Sequence, residues 1–436
     1  MFVSRHARRP ARAIRRTRVA CALLGTGVVV ASAGCTKTAT RVTSPGRVVA
    51  TRQPPWIRVA LANGVQHATF ELLGPARLRC CGGETRSLGS GQRLDVTLLD
   101  DVVVLSLGDG DEARSRRAMR LEPLVPDGEI GFGEHRYRGI LEVRPGEPGL
   151  TVINEVELEV YLRGVVPWEI GWQDPQRRHA VEAQAIAART YAYKRLGQFA
   201  DVGFDVYADV SDQVYQGTTR EDSIANAAIR ATRGTVLLAG EQLIDAYYCS
   251  TCGGHTSRIE SVWPKPAASY LEGRRDRALE GGGAFCATSS HFRWQEAWSG
   301  AEMESLVQQT LPPELPQSER APLGGLVDLA VASYDASGRA QALVVEMTSG
   351  TFQVPGDRIR WVLRPRDRAI LRSTMFKLDV HRDTAGSIVR VIARGGGNGH
   401  GVGMCQVGAL EMARRGYDAP AILSHYYPGT RPRTLY

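Results

Sequence analysis

The sequence predicts an α+β fold in which a β-rich N-terminal lobe packs on a mixed helical and stranded body. Three observations favour this class. Short apolar or alternating runs, separated by Gly, Asp and Asn, fill the stretch from Trp56 to about Ile153. Helical spacing of apolar residues begins after Trp172, and more strand-like runs and a glycine-dense loop follow. With 436 residues, the chain is long enough for two or three domains.

The N-terminal segment is typical of an export signal. Seven arginines and no acidic residue precede residue 35, and the apolar run from Val19 to Ala33 is too short to span a bilayer comfortably. Small residues then precede Cys35, as in a lipoprotein cleavage box, although Ser32 stands where leucine is usual. We predict a lipoprotein signal peptide at 1–34, lipidation of Cys35 and a flexible tether at 35–54; ordinary signal cleavage nearby is the alternative. The protein would then be exported and membrane-anchored, facing the periplasm or cell wall.

The positive charge lies in the export segment. The net charge is +8, and without the segment before residue 35 it is +1. A nearly neutral body gives no indication of a nucleic-acid-binding surface, so we expect no nucleic-acid partner.

We predict a β-rich N-terminal lobe at 55–150, which the body then follows. Asp174 can cap a helix and Pro175 suits its first position, which predicts a helix ending near Arg195. Further helices are expected from about Glu221 to Thr232 and from Val407 to Arg415.

A later part of the chain looks like a unit of its own. Residues 299–394 combine a helix-like stretch, a Pro-rich connection and strand-like runs such as ALVVEMT, which predicts an additional β-containing unit inside a body spanning 151–436.

Five motifs together resemble one family. They are NEVELEVYLRGVVPWEI from Asn154, AQAIAARTYA from Ala183, DQVYQG from Asp212, YYCSTCGGHT from Tyr247, and GHGVGMCQVGALEMARRGY from Gly399. Their order and spacing resemble the SpoIID/LytB family over roughly residues 55–436. The resemblance implies a peptidoglycan substrate. If the chain resembles the SpoIID-type members, the implied activity is that of a lytic transglycosylase acting on glycan strands stripped of peptide stems, with no required cofactor. If it resembles the LytB-type members, the implied role is an accessory one beside a cell-wall amidase.

Glu169 matches the catalytic glutamate of this family. The apolar residues around it, Val165, Val166, Pro167 and Trp168, would disfavour the charged carboxylate and raise its pKa towards that of a general acid. A solvated Glu near a helix start is the alternative reading of the pattern. One carboxyl is enough for a lytic transglycosylase, whereas hydrolysis would need a second carboxylate, for which Asp212 is the nearest candidate.

The resemblance also implies substrate-binding residues. Gln184 and Arg189 carry donors suited to sugar hydroxyls or carboxylates, although Arg189 could equally pair within the structure. The remaining candidates could bind glycan or serve packing and turns, and they are Asp212, Gln213, Tyr215, His400 and Gln406.

The cysteines allow three interpretations. Cys249, Cys252, His255 and Cys286 are candidate metal ligands for a structural zinc. Export favours a Cys252–Cys286 disulfide instead. A cysteine nucleophile with His255 as its base is the third alternative.

The export prediction is tested by intact-mass measurement of the protein extracted from membranes. We expect residues 1–34 to be absent and Cys35 to carry lipid, because the segment combines an arginine-rich start, a short apolar run and small residues before the cysteine. A soluble mature form that begins at another residue would contradict it.

Overall fold

The architecture of the computed structural model is α+β, with 25% helix and 38% strand and a β-rich N-terminal region, as predicted. The structure describes residues 51–80, 82–108, 110–278, 282–320 and 322–436. The predicted signal peptide, Cys35 and most of the tether lie outside these ranges and stay predictions. Within these ranges, no helix has the length and apolar character needed to cross a membrane.

The N-terminal lobe consists of two antiparallel sheets that face each other across buried apolar side chains. Its strands are β1 (Trp56–Val65), β2 (His67–Leu72), β3 (Ala76–Cys80), β4 (Glu84–Leu88), β5 (Arg93–Leu99), β6 (Val102–Gly108), β7 (Asp111–Ser115), β8 (Met119–Pro123), β9 (Glu129–Phe132), β10 (His135–Arg138), β11 (Ile140–Pro145) and β12 (Leu150–Glu157). One sheet has the order β10-β9-β2-β5-β6-β7. In the other, β1-β12-β11-β8-β3-β4 are neighbours. Alternate residues such as Leu94 and Val96 are fully buried, since successive strand side chains point to opposite faces.

Three helices follow the lobe: α1 (Leu158–Ile170), α2 (Arg178–Lys194) and α3 (Ser223–Ala231). The predicted start before α2 is confirmed: Asp174 accepts a hydrogen bond from the Gln176 N–H, and Pro175 opens a 3₁₀ turn that leads into the helix. Asp222 caps α3 by accepting from two backbone N–H groups. Between α2 and α3, β13 (Val206–Tyr207) pairs in parallel with β1 and extends the larger lobe sheet.

The expectation that helical structure begins only after Trp172 was wrong. Residues Leu158–Ile170 form α1 although the segment contains Gly164 and Pro167, both unfavourable inside helices. Packing explains the result. A Cβ at Gly164 would lie 2.5 Å from the Gly217 carbonyl oxygen and 2.6 Å from the Tyr215 ring, so glycine allows the helix to pack against this loop.

The rest of the body consists of short sheets and helices. Its elements are β14 (Thr235–Ala239), β15 (Gln242–Leu243), β16 (Tyr248–Cys249), α4 (Ile259–Val262), β17 (Trp294–Ser299), α5 (Gly300–Thr310), β18 (Leu326–Tyr334), β19 (Ala340–Met347), β20 (Gly350–Pro355), α6 (Ile359–Val362), β21 (Phe376–Arg382), β22 (Ile388–Gly395), β23 (Met404–Cys405), α7 (Gln406–Arg414), α8 (Ala419–Tyr426) and β24 (Arg431–Thr434). The predicted helix near Val407–Arg415 is confirmed as α7.

Most of the buried apolar side chains in the described residues belong to two cores. The larger core is continuous from the lobe sheets through α1, α2 and α7. A separate core gathers the buried side chains of β17, α5, β19 and β22. The parallel pairing of β16 with β23 aligns Tyr248 with Met404 and Cys249 with Cys405, which joins two segments far apart in the sequence.

The close packing of Gly164 against the loop at Tyr215 and Gly217 leads to a prediction about stability. Gly164→Ala should destabilise the protein by about 1–3 kcal/mol, the usual cost of overpacking, despite the better helix propensity of alanine. The check is the midpoint of chemical unfolding followed by circular dichroism. Gly89→Ala is the control, since a Cβ there meets nothing within 4 Å. Equal midpoints for both variants would contradict the packing argument.

Candidate active site

Glu169 lies in the last turn of α1, and Gly171, directly after the helix, has a φ of 72°. The residue as a whole is partly exposed, while Val165, Val166 and Ile170 around it are buried. The negative end of the helix dipole also faces this turn, and the turn contains no basic residue to offset it. The surroundings therefore disfavour the charged carboxylate.

Three donors from separate segments hold the Glu169 carboxyl. The Val214 N–H donates to Oε1 at 2.9 Å, and the side chains of Tyr248 and Gln406 donate as well. Burial outweighs these hydrogen bonds and raises the pKa of Glu169 to about 7, while each donor by itself lowers the pKa. A carboxyl with this pKa carries a proton about half of the time at neutral pH, as a general acid requires.

Tyr248 connects Glu169 to a chain of buried polar groups. The Tyr161 hydroxyl donates to Gln213 Oε1 at 3.1 Å, and Gln213 Nε2 donates to the Tyr248 hydroxyl at 2.8 Å. The Tyr248 hydroxyl proton is therefore directed at Glu169. Gln213 acts in this site by orienting Tyr248, and its own side chain is fully buried.

Gln184 and Gln406 lie on the other side of the carboxyl. Gln406 begins α7, donates to Glu169 and contacts Gln184 Oε1 through Nε2 at 3.4 Å. Gln184 is fully buried on α2, and its Nε2 has no protein partner in the described part of the chain. An unpaired buried donor is costly, so this N–H is suited to a bound water or a ligand oxygen.

His400 supports the site through the backbone. Its Nε2–H donates to the Tyr248 carbonyl at 2.9 Å, and its Nδ1 accepts from the Val402 N–H at 3.1 Å. Burial lowers the pKa of His400 to about 4, so the ring is neutral at pH 7. His400 therefore fixes the position of β16 and of Tyr248.

Arg189 pairs within the structure, the alternative that the sequence left open. Its guanidinium is fully buried and donates to both carboxylate oxygens of Glu159 at 2.7 and 2.9 Å. Glu159 and Glu169 are ten residues apart on α1, about 15 Å along the helix axis. Arg189 thus lies away from the Glu169 carboxyl, and it connects α1 to α2.

Asp212 and Tyr215 are also engaged by the protein. Asp212 accepts from the Tyr191 hydroxyl at 2.8 Å and from the Tyr207 N–H at 2.9 Å, and it lies 3.3 Å from Arg195. The Tyr215 hydroxyl donates to Asn154 Oδ1 at 2.7 Å. Both side chains help to hold the loop whose Val214 N–H reaches Glu169.

An aromatic surface adjoins the site. The Arg220 guanidinium lies 4.2 Å from the centre of the Trp168 ring and 5.7 Å from that of Trp172, which is 70% exposed. The indole N–H of Trp168 is buried and has no partner among the described residues. Exposed aromatic faces and unpaired donors next to an acid suit a ligand with apolar ring faces and hydroxyl groups.

Sequence reasoning did not single out Tyr248 as a site residue. It lies in the YYCSTCGGHT motif, but its role depends on the β16–β23 pairing, which no local pattern indicates.

The cysteines are arranged differently from the prediction. Cys252 and Cys286 are free thiols with their Sγ atoms 3.6 Å apart, so the expected disulfide is not formed in the structure. Cys252, Cys286, Cys405 and Asp276 offer ligand atoms that all lie within 4.8 Å of one another. Cys249 and His255 do not belong to this cluster; the His255 Nδ1 bonds the Thr256 carbonyl oxygen. Sequence reasoning missed Asp276 and Cys405 as partners.

The chain matches two family models. Residues 146–238, which contain Glu169, Gln184 and Val214, match the family described as Stage II sporulation protein (SpoIID). Residues 277–403 match a domain of unknown function, DUF8618. The second match overlaps the unit predicted at 299–394, whose boundaries stay a prediction.

Curated relatives agree with the first match. An uncharacterized protein of Brachyspira hyodysenteriae is 31% identical over 315 residues, 71% of this chain and 76% of the relative. The Stage II sporulation protein D of Bacillus subtilis is 27% identical over 294 residues, 64% of this chain and 75% of the relative. The Amidase enhancer of Bacillus subtilis is 27% identical over 297 residues, 62% of this chain but only 40% of the relative.

The chain therefore belongs to the SpoIID family, as its motifs predicted. This membership supports a function related to the cell wall.

The hydrogen bonds at Glu169 predict how its pKa responds to mutation. Tyr248→Phe removes a donor that favours the carboxylate, so the pKa of Glu169 should rise above its value of about 7 in the parent protein. Tyr215→Phe is the matched control, because that hydroxyl bonds Asn154 instead. ¹³C NMR titration of the carboxyl, assigned by its loss in Glu169→Gln, measures the change. A lower or unchanged pKa in Tyr248→Phe would refute the assigned contact.

Proposed function

We propose that the protein is a lytic transglycosylase that cuts the glycan strands of peptidoglycan and leaves 1,6-anhydro ends. The observation that carries the proposal is the carboxyl of Glu169, whose pKa is raised to about 7 and which donors from three separate segments hold in place. Its place in the segment matching the SpoIID family supports the same role.

The proposed reaction uses this carboxyl twice. Protonated Glu169 gives its proton to the glycosidic oxygen, and the bond from that oxygen to the anomeric carbon breaks. The resulting carboxylate takes the proton of the sugar's own C6 hydroxyl as its oxygen bonds to the anomeric carbon. The proton returns to Glu169, so the cycle is balanced and water is not consumed.

The surroundings of Glu169 suit both steps. Burial favours the protonated form before cleavage, and the donors from Val214, Tyr248 and Gln406 stabilise the carboxylate after it. Asp212 supports hydrolysis poorly, because Tyr191, the Tyr207 N–H and Arg195 already occupy its carboxylate.

Substrate binding is proposed at the two faces that flank the carboxyl. Gln184 is fully buried, so its Nε2 would donate to a bound water, whereas the exposed Trp172 side chain would stack on a sugar ring. A preference for strands stripped of their peptide stems, export to the envelope and anchoring through Cys35 belong to the same proposal.

A second candidate is a non-catalytic enhancer of a cell-wall amidase. The observation that favours it is the similarity to the Amidase enhancer of Bacillus subtilis, of which the chain spans 40%. The two candidates differ in one measurable respect, since an enhancer stimulates an amidase without cutting glycan by itself.

The test compares Glu169→Gln with the unmodified protein on purified peptidoglycan, with and without peptide stems. The variant should lose about 10²–10⁴-fold in cleavage rate, because it lacks a transferable proton, while it still binds glycan strands. Glu182→Gln is the control, since that carboxylate lies on α2 and bonds His179. Mass spectrometry of the fragments should find 1,6-anhydro ends.

The other possible results point to a wrong assignment of Glu169, to hydrolysis, or to the enhancer function. Cleavage by Glu169→Gln at the unmodified rate would refute the assignment. Reducing ends would indicate hydrolysis and a second carboxylate, with Asp212→Asn the next variant. If neither protein cuts and both stimulate an amidase, the enhancer function is correct.

A further inference from the structure

A cavity of about 350 Å³ lies beside the candidate active site, between the start of α7, the segment 288–291 and the turn that follows α1. We call it the α7 cavity, and its lining includes Arg177, Ser250, Ser289, His291, Val407 and Leu410. Val407 directly follows Gln406, which donates to Glu169, so the cavity begins next to that carboxyl. The proposed steps of cleavage use none of the lining side chains.

We propose that the α7 cavity binds a muramic acid unit of the glycan strand through the free carboxylate of its lactyl group. This role rests on the proposed function and deepens it, because it names the sugar that lies beside the bond cut at Glu169. A stem peptide, where present, is joined to the same lactyl carboxyl as an amide. Only a strand stripped of its stems therefore offers the carboxylate.

The floor and walls of the α7 cavity suit a sugar ring. Val407 and Leu410 are three residues apart on α7, so their half-buried side chains share one face of the helix and form an apolar floor. The hydroxyls of Ser250 and Ser289 lie 3.4 and 2.9 Å from the Thr251 hydroxyl. A hydroxyl has one donor and two acceptor sites, so each serine keeps capacity for a sugar hydroxyl. The volume lies at the lower end of the range for ligand pockets, about 300–1,000 Å³, which suits a single sugar unit.

Arg177 supplies a positive charge at a fixed place. Its Nη1 donates to Gln173 Oε1 at 3.3 Å, and Gln173 Nε2 donates to the Ile170 carbonyl at 2.8 Å. Ile170 follows Glu169, so the guanidinium is tied to the end of the helix that carries the acid. Among the described residues, the carboxylate nearest to Arg177 is that of Asp174, 54% exposed and 3.9 Å from Nε, which is too long for a hydrogen bond. Arg177 therefore remains free to bind the carboxylate of a ligand in the bidentate geometry typical of arginine.

His291 adds a neutral donor and acceptor in positively charged surroundings. Burial and the charges of Arg372 and Arg368 lower the pKa of His291, so the ring is neutral at pH 7 and can bond a sugar hydroxyl through either nitrogen. Arg368 pairs with Glu296 and with exposed Asp367. Arg372 lies 3.7 Å from Glu296, and its buried Nε has no hydrogen-bond partner in the described part of the chain. These surroundings favour an anionic group near the ring.

Glu411 also lines the α7 cavity, but its charge is already compensated. The carboxylate accepts from Arg414 at 2.7 and 2.8 Å and from Arg415 at 2.7 Å. Hydrogen bonds from Arg414, and also from Arg415, lower the pKa of Glu411 to about 2. Because two guanidinium groups face this one carboxylate, Glu411 does not reverse the preference of the cavity for an anionic ligand.

The test measures binding apart from cutting, in a Glu169→Gln background. Arg177→Gln should lower the affinity for stripped glycan strands about tenfold, because it removes a charge-assisted hydrogen bond. Strands whose lactyl carboxylates have been converted to carboxamides should bind about tenfold more weakly to the Arg177 protein, and Arg177→Gln should not weaken that binding further. Arg178→Gln is the matched control, since Arg178 is exposed and lies outside the cavity lining. Isothermal titration calorimetry at one ionic strength measures all of these affinities.

Equal affinity for carboxylate and carboxamide strands would overturn the proposal. This comparison needs no change at Arg177, so it stays decisive even if Arg177→Gln folds poorly. An equal loss of affinity in Arg178→Gln, or tighter binding of strands that keep their stems, would overturn the proposal as well.

The cleavage assay separates this proposal from the lytic function. If the unmodified protein leaves no cut ends but binds stripped strands through Arg177 and the lactyl carboxylate, the lytic function is wrong and the binding site is supported. If it cuts strands at Glu169 and the affinity does not depend on the lactyl carboxylate, the binding site alone is wrong.

Discussion

The hydrogen bonds to the Glu169 carboxyl are the interaction on which the rest of the site depends. Their donors, Val214, Tyr248 and Gln406, come from three segments that are brought together only by the complete fold. The pairing of β16 with β23 places Tyr248 beside Met404, so that Gln406 follows two residues further along. His400 adds a bond to the Tyr248 carbonyl, which fixes the same strand from the glycine-dense loop. The carboxyl pKa is thus a property of the tertiary structure.

The sequence predicted the fold well where the local signals were strong. The start before α2 follows from Asp174 and Pro175, whose effects act within one turn and survive in the folded chain. Helix α1, in contrast, forms against its local sequence signals. Gly164 and Pro167 oppose it locally, and it forms because its apolar side chains, such as Leu162 and Val165, are fully buried. No local pattern reports that burial, so sequence reasoning missed the helix that carries Glu169.

The same contrast between local signals and tertiary contacts applies to the candidate site. Glu169 could be identified because its apolar neighbours are adjacent in the sequence. The role of Arg189 could not, because its partner Glu159 lies thirty residues away on another helix. An arginine with five donors looks the same in a sequence whether it awaits a substrate or pairs with a buried carboxylate. Tyr215 is similar, since only the structure reveals that its hydroxyl is bonded to Asn154.

The N-terminal lobe supports the loop that follows Val214, which explains why the body depends on it. Thr218 donates its N–H to the Arg136 carbonyl at 2.8 Å, Arg138 forms an ion pair with Glu221, and the His135 ring lies 6.4 Å from Trp168. These contacts join β10 of the lobe to the loop that follows Val214. Because the larger apolar core is also continuous from the lobe into α1 and α2, removing the lobe would expose that core and release the loop. The lobe therefore belongs to the framework that holds the Glu169 carboxyl.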